Sequence, residues 1–264
     1  MSVSIRFLGT AAFEIITSAG KRILIDPYLD ENPVSPIKVA DLDHLDLLLV
    51  THAAHDHLGD TEAILRRFAD LKLICGADVR GYLIHRGISG DRLRAIPWGM
   101  MIEEAGVQVR PVESHHWSYI QTEDGHAFSS IPLGFIIYAG EGVRIYHSGD
   151  TGIFSDLELI GELYKPTVGL INVGVPREHR GAAHGVPEYL TGEMTAEEAA
   201  MACRWLRLDY AIPCHHDDPG LPEIVRFADL LKEARRTDPA APREVILSPG
   251  QTFSPPVGED EEAG

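Results

Sequence analysis

The chain has 264 residues and 44% hydrophobic content, enough for a sizeable buried core in one large domain. Lys and Arg number 23 against 40 Asp and Glu, a net charge of -17 that repels phosphate backbones and anionic membrane surfaces, so a small-molecule substrate fits better than nucleic acid or membrane. Three cysteines, Cys75, Cys203 and Cys214, form no CxxC pair or disulfide framework, and no apolar run approaches the ~18 residues of a membrane span, so the chain reads as cytoplasmic with free thiols.

Met1 to Gly9 reads as a strand and not as a signal peptide. Strands are expected at Ser4–Leu8, Phe13–Thr17 and Arg22–Asp26, with Gly20 turning the second into the third and Pro27 ending the third. Asp46–Val50 is apolar after its first residue, as a buried strand is. A helix follows at Gly59–Ala69, then strands at Leu71–Cys75, Val107–Val112, Leu133–Tyr138 and Val143–Tyr146. Ser155 with Glu158 has the spacing of a capping box opening a helix through Leu163. A strand at Val168–Val173 precedes Pro176–Gly192, the longest stretch without periodicity, and loops of that length are often functional. Thr195 with Glu198 opens a second helix to Leu206, Ala211–Cys214 is a strand, and Leu221–Arg236 carries an apolar stripe at Ile224, Phe227, Ala228 and Leu231. Val245–Leu247 closes the set of strands. The order predicts an α/β fold, an αββα four-layer sandwich. Its two mostly antiparallel or mixed sheets pack face to face with helices on both outer faces, and a doubly wound sheet is the rival. Residues 1–252 form the domain. Residues 253–264, with Glu259, Asp260, Glu261 and Glu262, read as an acidic, disordered tail.

The segment from Val50 to Asp60 carries the chemistry. His52, His55, Asp56, His57 and Asp60 fall in a strand-to-helix loop, where neighbouring side chains converge on one point. Neutral imidazole and carboxylate are the usual donors for zinc and similar divalent ions. Three histidines beside aspartate in so short a segment outweigh a merely hydrogen-bonded loop.

Thr51-His52-Ala53-Ala54-His55-Asp56-His57 resembles the Thr-His-x-His-x-Asp-His signature of the metallo-β-lactamase superfamily. His52, Asp56 and His57 match; Ala54 stands where the family has its second histidine. Three further segments are similar to later family motifs: His115-His116-Trp117-Ser118, Ser148-Gly149-Asp150-Thr151-Gly152 and Ile212-Pro213-Cys214-His215-His216-Asp217. Asn172-Val173-Gly174 and Gly192-Glu193-Met194-Thr195 resemble the branch that includes ascorbate-6-phosphate lactonase.

The resemblance implies a metal-dependent hydrolase with one or two zinc or manganese ions held by His52, Asp56, His57, His116, Asp150 and His215. His115 is the alternate to His116, and Asp150 bridges the two ions. It implies attack by an activated water on a lactone or similar ester of a small, anionic or neutral molecule. A phosphodiesterase or phosphatase, or a non-catalytic binding protein, are the alternatives. Asp56 would orient the nucleophile. His55 would be a general acid or a replacement for the missing ligand. His216 would line the pocket, and Asp26 would lie near the metals. Arg177 and Arg180, in the long loop, are candidates for substrate binding, against a reading as solvated charge. A homo-oligomer is compatible with all of this.

Overall fold

The computed structural model describes residues 1–174, 178–179, 189–190 and 192–256. From the N-terminus, β1 (Ser4–Gly9), β2 (Ala12–Ile16) and β3 (Arg22–Ile25) form an antiparallel meander. Then β4 (Leu47–Leu49), β5 (Lys72–Cys75) and β6 (Leu93–Ala95) extend the sheet in parallel from β3. Between them run α1 (His55–Leu58), α2 (Thr61–Arg67) and α3 (Ala77–His85).

The next strands are β7 (Ile102–Glu104), β8 (Val107–Val112), the hairpin β9 (Ser118–Gln121) and β10 (Ala127–Ser130), β11 (Gly134–Gly140) and β12 (Val143–His147). After α4 (Leu157–Tyr164) come β13 (Val168–Asn172), the antiparallel pair β14 (Glu178–His179) and β15 (Tyr189–Leu190), and α5 (Ala196–Trp205). The chain continues through β16 (Tyr210–Cys214), α6 (Pro222–Thr237), β17 (Arg243–Glu244) and β18 (Thr252–Phe253).

Each large sheet has seven strands, in the orders β18-β1-β2-β3-β4-β5-β6 and β17-β16-β13-β12-β11-β8-β7. Period-two burial shows how they stack. Leu47 and Leu49 face the other sheet, in a core with Phe7, Phe13, Phe135, Ile137, Ile145 and Leu170. Leu48, between them, faces outward and packs with Ile64 and Leu65 of α2 and Val79 and Leu83 of α3. On the second sheet, Ile136, Tyr146 and Ile171 face outward against α4, α5 and α6 through Ile160, Ala199, Cys203 and Phe227. Strands apolar on both faces are those covered on both sides, so the four layers follow from the sequence pattern.

Several boundaries differ from expectation. The helix expected at 59–69 is the shorter α2, and a separate helix, α1, precedes it; Gly59, at a positive φ of 39°, interrupts the turn between them. Val245–Leu247 is extended but no strand; the edge strand is β17, two residues earlier. The Ser155 capping box does not form: Asp156 is the residue before α4, and the Ser155 hydroxyl turns to the Asp156 carboxylate. At α5 the box forms, with Thr195 accepting from the Glu198 N–H and Glu198 accepting from the Thr195 N–H. The last strand takes Phe253 from the segment assigned to the tail, and residues 257–264 lie outside the described ones. All three cysteines are buried and unpaired. Among the described residues, no helix is long and apolar enough to cross a membrane.

Candidate metal centre

The six residues singled out as ligands all lie just beyond the C-terminal ends of strands or in the helix that follows. β4 of the first sheet delivers His52 and, through α1, Asp56 and His57. From the second sheet, β8 delivers His116, β12 delivers Asp150 and β16 delivers His215. The site therefore straddles one end of the interface between the sheets.

Donor atoms of His52, His116 and Asp150 lie within 4.8 Å of one another, as do those of Asp56, His57 and His215. Asp150 sits between the two groups. Its Oδ1 is 3.2 Å from His57 Nε2, and its Oδ2 is 3.4 Å from His215 Nε2 and 3.9 Å from His52 Nε2. His215 Nε2 is also 3.3 Å from the Asp56 carboxylate.

Buried hydrogen bonds aim these groups. Asp26 has no solvent exposure and a φ of 46°, a conformation Asp tolerates better than most side chains. It accepts from the Thr51 N–H and hydroxyl, each at 2.8 Å, and from His57 Nδ1 at 2.8 Å. With Nδ1 donating, His57 Nε2 carries the lone pair and faces the cluster. Thr51 Oγ1 lies 3.1 Å from His52 Nδ1 and orients that ring in the same way. His147 accepts from the Gly149 N–H through Nδ1 and donates from Nε2 to the Ala11 carbonyl, fixing the loop that carries Asp150. Ser114 donates to the Asp150 carbonyl at 2.7 Å, and the His115 N–H donates to Thr151 at 2.9 Å, so the His116 and Asp150 loops are laced together.

Charge is finely divided here. Burial pushes His52 down to about 3, with His57 adding to the effect. Burial pulls the other way on His57 as well, but Asp150, Asp26 and Asp56 outweigh it and hold that imidazole well above its usual value. His215 follows the same pattern: burial lowers it, Asp150 and Asp56 raise it, and it settles at about 9. Burial would raise Asp150, yet His215, His57 and His52 hold it well below the usual carboxylate range. His116 is lowered, burial outweighing Asp150 and Glu193.

Nε2 of His52, His57 and His215 and Oδ1 of Asp150 are buried with no hydrogen-bond partner among the described residues. A buried polar atom left unpaired costs about 1–3 kcal/mol, so four around one point call for a shared partner. The donors are imidazole nitrogens and carboxylate oxygens, which a divalent cation fits.

Other candidates fall elsewhere. His55, expected as acid or replacement ligand, is not in the cluster. It is the first residue of α1, and successive helical side chains diverge by about 100°, so Asp56 and His57 turn in while His55 turns out. Its exposed ring pairs with Glu31 at 3.0 Å and packs on Tyr28. The choice between His115 and His116 falls to His116, because His115 stacks on Phe154 and pairs with Glu113 at 2.8 Å. His216, expected to line the pocket, is buried against Phe7, and burial pushes its pKa down to about 4. Arg177 and Arg180 lie outside the described residues.

Sequence reasoning did not weigh Glu193 as a site residue, although it lies in a quoted motif. Its carboxylate groups with Asp150 and His215 within 4.8 Å. Two residues before the α5 capping box, it reads as one more acid at a helix start. A further group, His85, Asp124 and His126, is exposed on α3 and the β9–β10 turn, and ion pairs of 3.3 and 3.2 Å to Asp124 account for it.

A model of the β-lactamase superfamily domain matches residues 21–216, the span that holds all six donors and the four strand ends that deliver them. A metal-dependent hydrolase of Sulfurisphaera tokodaii is 34% identical over 253 residues, covering 94% of this chain and 97% of its own. One from Rubrobacter xylanophilus is 33% identical over 224 residues, covering 83% and 85%. Igni18, a metallo hydrolase of the archaeon Ignicoccus hospitalis, superposes with a TM-score of 0.73 at 25% identity, over 97% of this chain and 99% of its own. The chain belongs to the β-lactamase superfamily and has the metallo-β-lactamase fold. It is a metal-dependent hydrolase of that superfamily.

Proposed function

We propose that the enzyme hydrolyses a lactone or similar ester of a small molecule at a divalent metal centre held by His52, Asp56, His57, His116, Asp150 and His215. The observation that carries this reading is the pair of donor groups that meet at Asp150, where His52, His57, Asp150 and His215 present atoms with no hydrogen-bond partner among the described residues. His52 and His116 with Asp150 would hold one ion, and Asp56, His57 and His215 with Asp150 the other. A zinc or manganese ion held there lowers the pKa of a water molecule toward neutrality and polarises the substrate carbonyl.

The chain's own residues do the rest. Asp26 and Thr51 fix the orientation of His57 and His52. Asp56 is partly exposed, as are His116 and His215. Burial would raise its pKa, but His57 and His215 outweigh that and keep it ionised, so it is the carboxylate placed to orient the attacking water. Glu31, Asp56, Asp60 and Asp217 surround Tyr28 closely enough to raise its phenol, after burial the next cause. That acidic rim repels phosphodiesters and favours an uncharged lactone. Arg177 and Arg180 are the residues that would reverse the preference. If they bind substrate, Arg180→Ala raises KM for anionic substrates more than for neutral ones.

The test is metal content by plasma mass spectrometry, beside Asp150→Ala, followed by a panel of lactones and phosphodiesters. About two ions per chain, lost in the variant, with lactone turnover is the expected result. Turnover of phosphodiesters alone would replace the substrate class, and metal-replete protein inert toward both would leave a binding protein.

A further inference from the structure

We propose that Glu193 is a ligand of this metal centre, supplying a carboxylate oxygen beside Asp150 and His215 in a donor set that lacks an imidazole at Ala54. The inference rests on the metal-centre reading above and adds a donor to it.

Three observations converge. The Glu193 carboxylate lies within 4.8 Å of the donor atoms of both Asp150 and His215. Its Oε2 is buried and has no hydrogen-bond partner among the described residues, and the same holds for the facing atoms of His52, His57, Asp150 and His215. No Lys or Arg pairs with it among the described residues. A carboxylate oxygen without a donor, beside a second carboxylate, is costly unless a cation lies between them.

The surrounding backbone also makes room for this side chain. A Cβ on Gly174 would come 2.4 Å from Glu193 Cβ and 3.2 Å from Oε2, so only glycine lets Glu193 lie across the end of β13. The Gly174 N–H donates to the Met194 carbonyl at 3.0 Å, locking the two segments together. On the other side, a Cβ on Gly192 would lie 3.3 Å from His116 Nδ1, so this turn also abuts a ligand of the first group. Buried Met194 and the capped start of α5 hold the turn in place.

Ala54 cannot bind a metal, and His55 points away. Glu193 restores a donor but changes its kind, from nitrogen to oxygen. Oxygen-rich sets favour manganese relative to zinc, whereas imidazole favours zinc. The consequence is a centre whose metal preference is shifted by one residue on a separate strand-to-helix connection.

The experiment uses the full chain, stripped with chelator and titrated with manganese and zinc chloride. It is carried out in an Asp124→Ala background, so that the surface group of His85, Asp124 and His126 contributes nothing. Glu193→Gln keeps the shape and removes the charge; it is expected to weaken manganese binding by at least about tenfold, and zinc binding less. Gly174→Ala is the second probe. It removes no donor atom, yet its Cβ displaces Glu193, and it is expected to reproduce the selective loss of manganese. Circular dichroism of the stripped proteins separates this from unfolding. If both variants fold and bind manganese as the parent does, while Asp150→Ala does not, the assignment of Glu193 is overturned and the metal centre stands. If the parent itself takes up neither metal, both readings fail.

Discussion

Asp26 touches none of the substrate-facing atoms, yet it sets the direction of His57. Its Oδ2 takes the Nδ1 proton of His57 and the Thr51 hydroxyl, and its Oδ1 takes the Thr51 N–H. Outer partners of this kind are worth roughly 10–100-fold in metal affinity. Asp26→Asn should therefore lower affinity by that order in a chelator competition; unchanged affinity would mean that His57 is oriented by other groups. Three neighbouring histidines and aspartates made His52, Asp56 and His57 legible in the sequence, because a metal needs several donors within a few ångströms. The same adjacency misled for His55: a position one residue away on a helix faces a different direction. Glu193 was illegible for the converse reason. It sits 43 or more residues from every other member of the cluster except His215, and beside the ordinary acids Glu197 and Glu198 of a helix start.

Two capping-box spacings looked alike in sequence, and only one forms. Thr195 and Glu198 bond reciprocally, so Thr195→Ala should destabilise the protein by about 1 kcal/mol in denaturant unfolding. Ser155 caps nothing and its hydroxyl is exposed, so Ser155→Ala should stay within about 0.5 kcal/mol. Equal losses at the two positions would contradict the assigned caps. In the β12–α4 connection, Gly149 has a φ of 56°, and a Cβ there would come 2.9 Å from both the Leu133 carbonyl and Thr51 Cβ. Gly149→Ala should cost about 1–3 kcal/mol for the backbone strain alone and should also lower metal content, since Asp150 follows directly. The long buried strands were readable because their apolar runs are covered on both faces. Edge strands β6, β7, β17 and β18, each three residues or fewer, were not, because their pairing depends on neighbours far along the chain. Helix α3 escaped notice too: its buried face rests mainly on Val79 and Leu83, too few residues to declare a period.

Across the whole molecule, the proposed centre draws on both sheets, so bound metal ties them together. Ligand that binds only the folded state stabilises by about 2.7 kcal/mol at a hundredfold excess over Kd. Chelation should thus lower the thermal midpoint by several degrees, about 2–4 °C per kcal/mol for a domain of this size. No shift would mean that the centre is not loaded in the folded protein. The sequence by itself determined the layered α/β architecture, through apolar strands alternating with amphipathic helices, and four donor segments, the first through its run of histidines and aspartates and the other three through their resemblance to the superfamily's motifs. Tertiary structure decided the rest. It brought β4 of one sheet against β8, β12 and β16 of the other, turned His55 outward and His116 inward, and seated Glu193 beside Asp150 and His215 through the space left by Gly174. Those choices depend on direction within a helix and on distance between segments well separated along the chain, which local propensity and periodicity do not encode.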